Sequence, residues 1–404
     1  MMKSPRALLV VPAVVGLALG LAACGGDEDA PAGGEVTSLA LWDAFTQYDD
    51  NSAYGQLIST CETETGITIE RTADQAYLDT MLQGASSGNL PNLAIVDNPS
   101  IATYANVGLL VDNSQTGLDT SEVRPNVLAA AEVDGKVYGS SLGSNTLALF
   151  YNTELFDKAG LEPPTTWDEL RSAAKALSKD DVNGIGFSAI NTEEGTFQFE
   201  PFFWGAGAAL TDIGSPQAIQ ALQLWTDLVN DGSASKAVVS ANQGDINDQF
   251  TAGKLGMMVN GTWQLAGLDE AGTPYTVVPV PAADGGPAPS PLGGEFIEVV
   301  ASDEAHQKAS GEFAQCMVDP ENLKAWATGQ SYILPTEEAA DQQAADNPAL
   351  KPWVEAIAVA KGRTADLGAD YPKTSEQIWT AIQKSLSGAA TPAEALKAGA
   401  DALG

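Results

Sequence analysis

The side chains able to do chemistry in this sequence are aromatic rings and amides, not nucleophiles or metal ligands. Trp42 falls at the end of an apolar, β-prone run, and Trp263 follows Asn260, Gly261 and Thr262 at the end of another. Phe197, Phe199, Phe202, Phe203 and Trp204 crowd a single segment. A flat ring suits the C–H face of a pyranose, and the nearby Asp97, Asn98 and Asn145 suit its hydroxyls. In open α/β sheets ligands collect beyond the carboxyl ends of strands, where Trp42 and Trp263 are predicted to lie. The other reading of the same rings is core packing, which fits Phe202 and Trp204 better than the two strand-end tryptophans.

Other chemistry is hard to find. There is one histidine, His306, in a polar helix start, and no His/Cys cluster with metal spacing. No phosphate-cradling glycine loop and no nucleophile elbow follows a strand. A glycosidase needs two carboxylates facing each other across a cleft, and no local pattern marks such a pair. The chain is therefore expected to be a binder rather than an enzyme, with no cofactor and no metal. With 53 acidic and 19 basic residues, its net charge of −34 argues against nucleic acid and against an anionic membrane surface as partners.

These residues need a scaffold, and 404 residues are more than one hydrophobic core comfortably serves. Lys3 and Arg6 precede an apolar stretch too short and too interrupted to span a membrane. It ends in Leu21, Ala22, Ala23 and Cys24, which resembles the bacterial lipobox. Residues 1–23 are thus expected to be a lipoprotein signal peptide, Cys24 the lipidation site, and the Gly/Pro/acid-rich residues 24–35 a flexible tether. Export into an oxidising compartment leaves Cys61 and Cys316 either as two buried thiols or as a pair.

Beyond the tether, strands and helices alternate. The pattern predicts a helix over 51–65 stopped by Gly66, strands at 67–71 and 93–96, and helices at 77–85 and 101–107. A second set follows: strands at 147–151, 185–190, 255–259 and 275–280. Its helices are opened by a capping box at Thr166–Glu169 and by Ser215 before Pro216. A strand at 296–300, a helix at 303–317 and a helical tail with a capping box at Thr391–Glu394 complete an α/β chain. A parallel or mixed sheet in each of two blocks is expected.

The ordered motifs VDGKVYG (133–139), SNTLALFYN (144–152), LFDKAGLEPPTTWDEL (155–170), AGKLGMMVNGTW (252–263), PLGG (291–294), DPEN (319–322) and SGAATPAEAL (387–396) resemble extracellular solute-binding protein family 1, the maltose-type components of bacterial ABC importers. The resemblance covers nearly all of the chain beyond the signal segment. It implies a two-lobe, type II periplasmic-binding-protein-like fold with discontinuous lobes joined by a hinge. Lobe 1 would be residues 36–145 plus 294–330, and lobe 2 residues 147–291 plus 335–404. The crossings would lie near 145–147, 292–295 and 329–334.

The same resemblance implies a ligand in the interlobe cleft. Trp42, Asn145 and Trp263 match family positions, Trp263 being the ring that stacks on sugar in maltose binders. Asp97 and Asn98 fall in a ligand-contacting loop, and Phe197 and Phe199 in a ligand-contacting segment whose residue types differ from maltose binders. Glu295 stands where an aromatic often follows the Gly-Gly pair. Cys61 and Cys316 both map to lobe 1 helices, which permits a disulfide. The implied partners are a sugar, the permease subunits of an importer, and the membrane through the lipid anchor alone, with the protein a monomer. A polyamine or polyol derivative is the alternative solute, and a secreted glycan-acting enzyme the alternative class.

Overall fold

The computed structural model describes residues 36–85 and 88–404. Eleven strands are present among them: β1 Ser38–Asp43, β2 Thr68–Ala73, β3 Leu93–Asp97, β4 Glu132–Val133, β5 Lys136–Val137, β6 Ser140–Ser141, β7 Leu147–Asn152, β8 Asn183–Gly186, β9 Leu255–Gly261, β10 Tyr275–Val278 and β11 Glu295–Val299. They form a five-stranded sheet in the order β2-β1-β3-β11-β6, a four-stranded sheet in the order β10-β7-β9-β8, and the small β4-β5 hairpin. Both large sheets are mixed. β1 runs parallel to β2 and β3, whereas β11 is antiparallel to β3 and β6. In the second sheet β8 and β9 are parallel and the remaining pairs antiparallel.

The order of strands explains why the first sheet is discontinuous in sequence. β11 arrives from residue 295 and inserts between β3 and β6, so the chain must leave this sheet after β6, build the second and return. Three passages between the sheets lie side by side: Ser144 bridges to Ile333 and Asn145 to Gly293. The Asn145 N–H donates to the Gly293 carbonyl at 3.0 Å and the Gly293 N–H returns the bond at 2.9 Å. The segment 335–358 packs on the helix Pro125–Leu128 and its start as well as on β7 of the second sheet. Arg124 N–H donates to the Pro335 carbonyl and Asn126 to that of Ile357, while Trp353 packs on Phe150 of β7 at 5.8 Å.

Local chemistry sets the helix ends. Ser52 caps Ala53–Thr65 by accepting from Gly55 N–H, and Gly66 ends that helix in the left-handed conformation at φ 72°. Ser215 caps Pro216–Asn230, and the Thr391 box is reciprocal with Glu394. Thr166 caps Trp167–Leu177, but the Glu169 carboxylate reaches back to Thr165 instead of closing the expected box. The apolar run at 185–190 is a strand only through Gly186. Ala189 N–H leaves the ladder for the Val238 carbonyl, so Phe187–Ala189 are buried without being paired in the sheet.

Cys61, in Ala53–Thr65, and Cys316, in the helix Glu304–Val318, form a disulfide with Cα atoms 5.6 Å apart, fastening these helices together across 255 residues of sequence. The lipobox, Cys24 and the tether lie outside the described residues. Among the described residues no helix is long and apolar enough to cross a membrane.

Among the buried side chains with unpartnered polar atoms, Glu298 on β11 stands out, because it is fully buried and both of its carboxylate oxygens are unpaired. Its carboxyl leans on Gly139, where a Cβ would come within 2.6 Å of it and φ is +61°. Burial pushes this acid well above the ordinary glutamate value of 4.5. The folded state therefore holds the proton more tightly than the unfolded chain. The stability it supports is full below about pH 4.5 and is lost as pH rises toward the folded value, at up to about 1.4 kcal/mol per pH unit. Glu298→Gln removes that loss. Urea melts from pH 5 to 8 are expected to show the variant gaining on the parent as pH rises; a constant difference would contradict a buried neutral acid.

Candidate functional site

The passages between the sheets form one wall of a cavity of about 390 Å³, within the usual range for small-ligand sites. Each part of its lining is placed by an element end. Asp97 closes β3 and Glu295 opens β11, and the two are cross-strand partners in register. Glu193, Glu194 and Phe197 come from the first turns of the helix Glu193–Gly205, and Gln243 opens Gln243–Thr251. Trp263 stands on the short turn after β9, while Tyr332 and Arg363 come from the later helical half. Two roomier grooves, of about 470 and 620 Å³, border Pro320 and Thr336. Neither has an aromatic wall, so neither offers the stacking surface of this cavity.

Glycines make the lining close enough to work. A Cβ on Gly261 would sit 2.1 Å from the Trp263 indole, and one on Gly293 would sit 2.1 Å from Asn145 Oδ1 and 3.2 Å from the Phe197 ring. Both positions let a side chain lie directly over the backbone. Phe197 and Trp263 then stand 6.3 Å apart, tilted by 34°.

Arg363 organises the charges. Its side chain is 3% exposed, and it donates to Asp97 at 2.9 Å and to Glu193 at 3.0 Å. Its guanidinium also lies 4.8 Å from the centre of the Phe197 ring. Glu193 accepts further bonds from Tyr371 at 2.6 Å and from the Ser375 hydroxyl. Burial raises the Glu193 carboxyl, while Arg363 and the two hydroxyls pull it back down. Glu194 accepts from the Gln243 backbone at 2.7 Å and is raised by burial. Burial, with the charge of Asp97 second, pushes Glu295 up to about 7. Glu200, behind the cavity and 1% exposed, shares Tyr371 with Glu193 and is pushed well above the ordinary range by burial and by Glu193.

Of the residues expected from sequence, the structure gathers Asp97, Asn145, Phe197, Trp263 and Glu295 into this lining. Asn98 is 1% exposed and donates to the Leu292 and Gly294 carbonyls, tying the end of β3 to a passage instead of facing the cavity. Trp42 is half-buried against the core and is not part of the lining. Phe199 is fully buried, edge-on to Trp225 at 5.0 Å, which corrects its placement among the ligand contacts. The helix dictates this: residues two apart point to nearly opposite sides, so Phe197 and Phe199 cannot both face the cavity. Arg363, Glu193, Glu194, Gln243 and Tyr332 were not expected. Arg363 is one of only five arginines in a very acidic chain, the one signal that could have drawn attention to it.

Residues 56–352 match the sequence profile described as bacterial extracellular solute-binding protein. A binding protein of Brucella abortus is 26% identical over 55% of this chain, which spans 57% of that relative. The maltodextrin-binding protein of Bacillus subtilis is 22% identical over 93% of this chain and 90% of its own. Among solved structures, an ABC transporter solute-binding protein of Thermotoga lettingae bound with α-D-tagatose superposes with a TM-score of 0.80 at 26% identity, covering 91% of this chain and 98% of that one.

Removing the cation isolates its partners. Arg363→Met takes from Asp97 and Glu193 the cation they share; both carboxylates keep some contact with solvent, so the cost is expected to be about 1–3 kcal/mol, the scale of losing hydrogen bonds to a charged group. Urea unfolding at pH 7 measures it. Because the surviving carboxylates can take up protons, the cost is expected to shrink toward pH 4; a loss independent of pH would point to packing alone.

Proposed function

The chain belongs to the bacterial extracellular solute-binding protein family, and from that premise we propose that it is the extracytoplasmic receptor of an ABC-type importer. It captures a sugar, a mono- or oligosaccharide, in the cavity at the passages between the sheets. The observation that carries this reading is the pairing of two rings, Phe197 and Trp263, with amide and carboxylate groups around one open cavity. The sugars borne by similar proteins support it. Lobes at 36–145 with 294–330 and at 147–291 with 335–404 close over the solute, which favours the closed state by its higher affinity for it. The closed receptor is then offered to the permease subunits as a monomer, with no reaction performed on the solute.

A lipid on Cys24 holds the receptor at the outer face of the cell membrane in this reading. Two acyl chains provide a stable anchor, at about 0.8 kcal/mol per buried CH₂. Cys24→Ser is expected to abolish lipid labelling and leave the precursor uncut; labelling that survives the change would remove the anchor.

The binding claim is tested first by thermal shift against mono- and oligosaccharides, because a ligand of the folded state raises the melting temperature. With the best of these, Trp263→Ala is expected to weaken calorimetric binding by about 1–3 kcal/mol, the scale of a well-packed aromatic contact. Unchanged affinity would take Trp263 out of the site, whatever happened to stability.

A further inference from the structure

The cavity gathers more carboxyl groups than its own architecture pairs with cations. Asp97, Glu193, Glu194 and Glu295 line it, against the single cation Arg363. Asp97 and Glu295 are opposite one another in the β3–β11 ladder, so both side chains leave the sheet on the same face. Like charges in that relation repel. Arg363 is committed to Asp97 and Glu193. Glu295 Oε2 is buried and has no hydrogen-bond partner.

The second unfilled capacity is of the opposite kind. Arg363 is 3% exposed, lines the cavity, and keeps its Nε–H buried without an acceptor. Thus one wall lacks a positive donor while another lacks a neutral acceptor. A neutral sugar fills the second and leaves the first. A linear polyamine fills the first, leaves Arg363 Nε unpaired and offers no flat face to Trp263 and Phe197. A metal ion fits neither: among the described residues no three carboxylate, histidine or cysteine groups converge to hold one.

Resting on the sugar-receptor reading above, we propose that the solute is a cationic sugar, a ring carrying a protonated amine. Its ammonium sits at Glu295 beside Asp97, its C–H face lies on Trp263 and Phe197, and one of its oxygens accepts from Arg363 Nε. The upward displacement of Glu295 to about 7 fits this arrangement, because an incoming ammonium supplies the charge whose absence makes ionisation there unfavourable. Glu295 is accordingly the residue that separates charged from neutral sugars.

The test is calorimetric titration at pH 7 and low salt with matched pairs: glucose against glucosamine and 6-amino-6-deoxyglucose, galactose against galactosamine, and spermidine alone. At least one amine-bearing sugar is expected to bind about tenfold or more tighter than its neutral parent, the scale of one charge-assisted hydrogen bond. That ratio is expected to fall toward one in Glu295→Gln, whose folding is checked by its melting temperature. Should that variant fail to fold, Glu194→Gln and 0.5 M salt are each expected to reduce the ratio. Neutral parents binding as tightly as every amine, or an undiminished ratio in Glu295→Gln, would overturn the inference and leave the sugar receptor standing. Spermidine binding in the absence of any sugar binding would overturn both.

Discussion

An arginine side chain keeps its charge wherever it is put, so burying Arg363 obliges the fold to surround it with acceptors. The chain meets that demand with groups from distant places. Asp97 comes from the end of β3 in the first sheet, 266 residues away, and Glu193 comes from a helix start 170 residues away. One guanidinium therefore pins the strand that ends the first sheet's run of parallel pairing to the helix that covers the second sheet. The cavity exists at this junction because the ion pairs hold its two sides in register with the passages at Asn145, Gly293 and Ile333.

The same junction fixes what a solute meets. Phe197 carries the guanidinium on one face and has its ring tip close to Gly293. Trp263 is held over Gly261, and Tyr332 lines the same cavity. A site assembled from both sides of a hinge is completed only when the sides approach, and this couples recognition to closure. Acids from both sides, Asp97 and Glu295 on β3 and β11 and Glu193 and Glu194 on the helix, meet here with Arg363, and under the proposal of a cationic sugar the charge of the ligand bears on closure as well as its shape.

Much of the scaffold was legible because the signals are local. Gly66, Ser215 and Thr391 act within a turn of the residues they cap, and the strand-end tryptophan at 263 follows directly from the apolar run before it. The residues that could not be read are those whose partners are remote. Nothing near Lys361 or Thr364 announces that Arg363 reaches Asp97, and across 255 positions the sequence left Cys61 and Cys316 open between a pair, which the structure shows, and two thiols. Phe199 was misplaced for a different reason. The segment 193–205 was read as a cluster of rings without its helical period, and that period sends Phe197 and Phe199 to opposite faces. Glu193 and Glu194 escaped notice because two acids in a helix's first turn are ordinary complements to its dipole.

The central claim is that one solute is gripped from both sheets at the passages between them. Amide hydrogen exchange of the intact protein, with and without the sugar that most raises its melting temperature, tests this directly. Slower exchange is predicted together at 93–98 and 293–296 of the first sheet and at 193–198 and 260–264 beside the second. Slowing confined to one of these sides, or to the groove walls at 320–350, would contradict it.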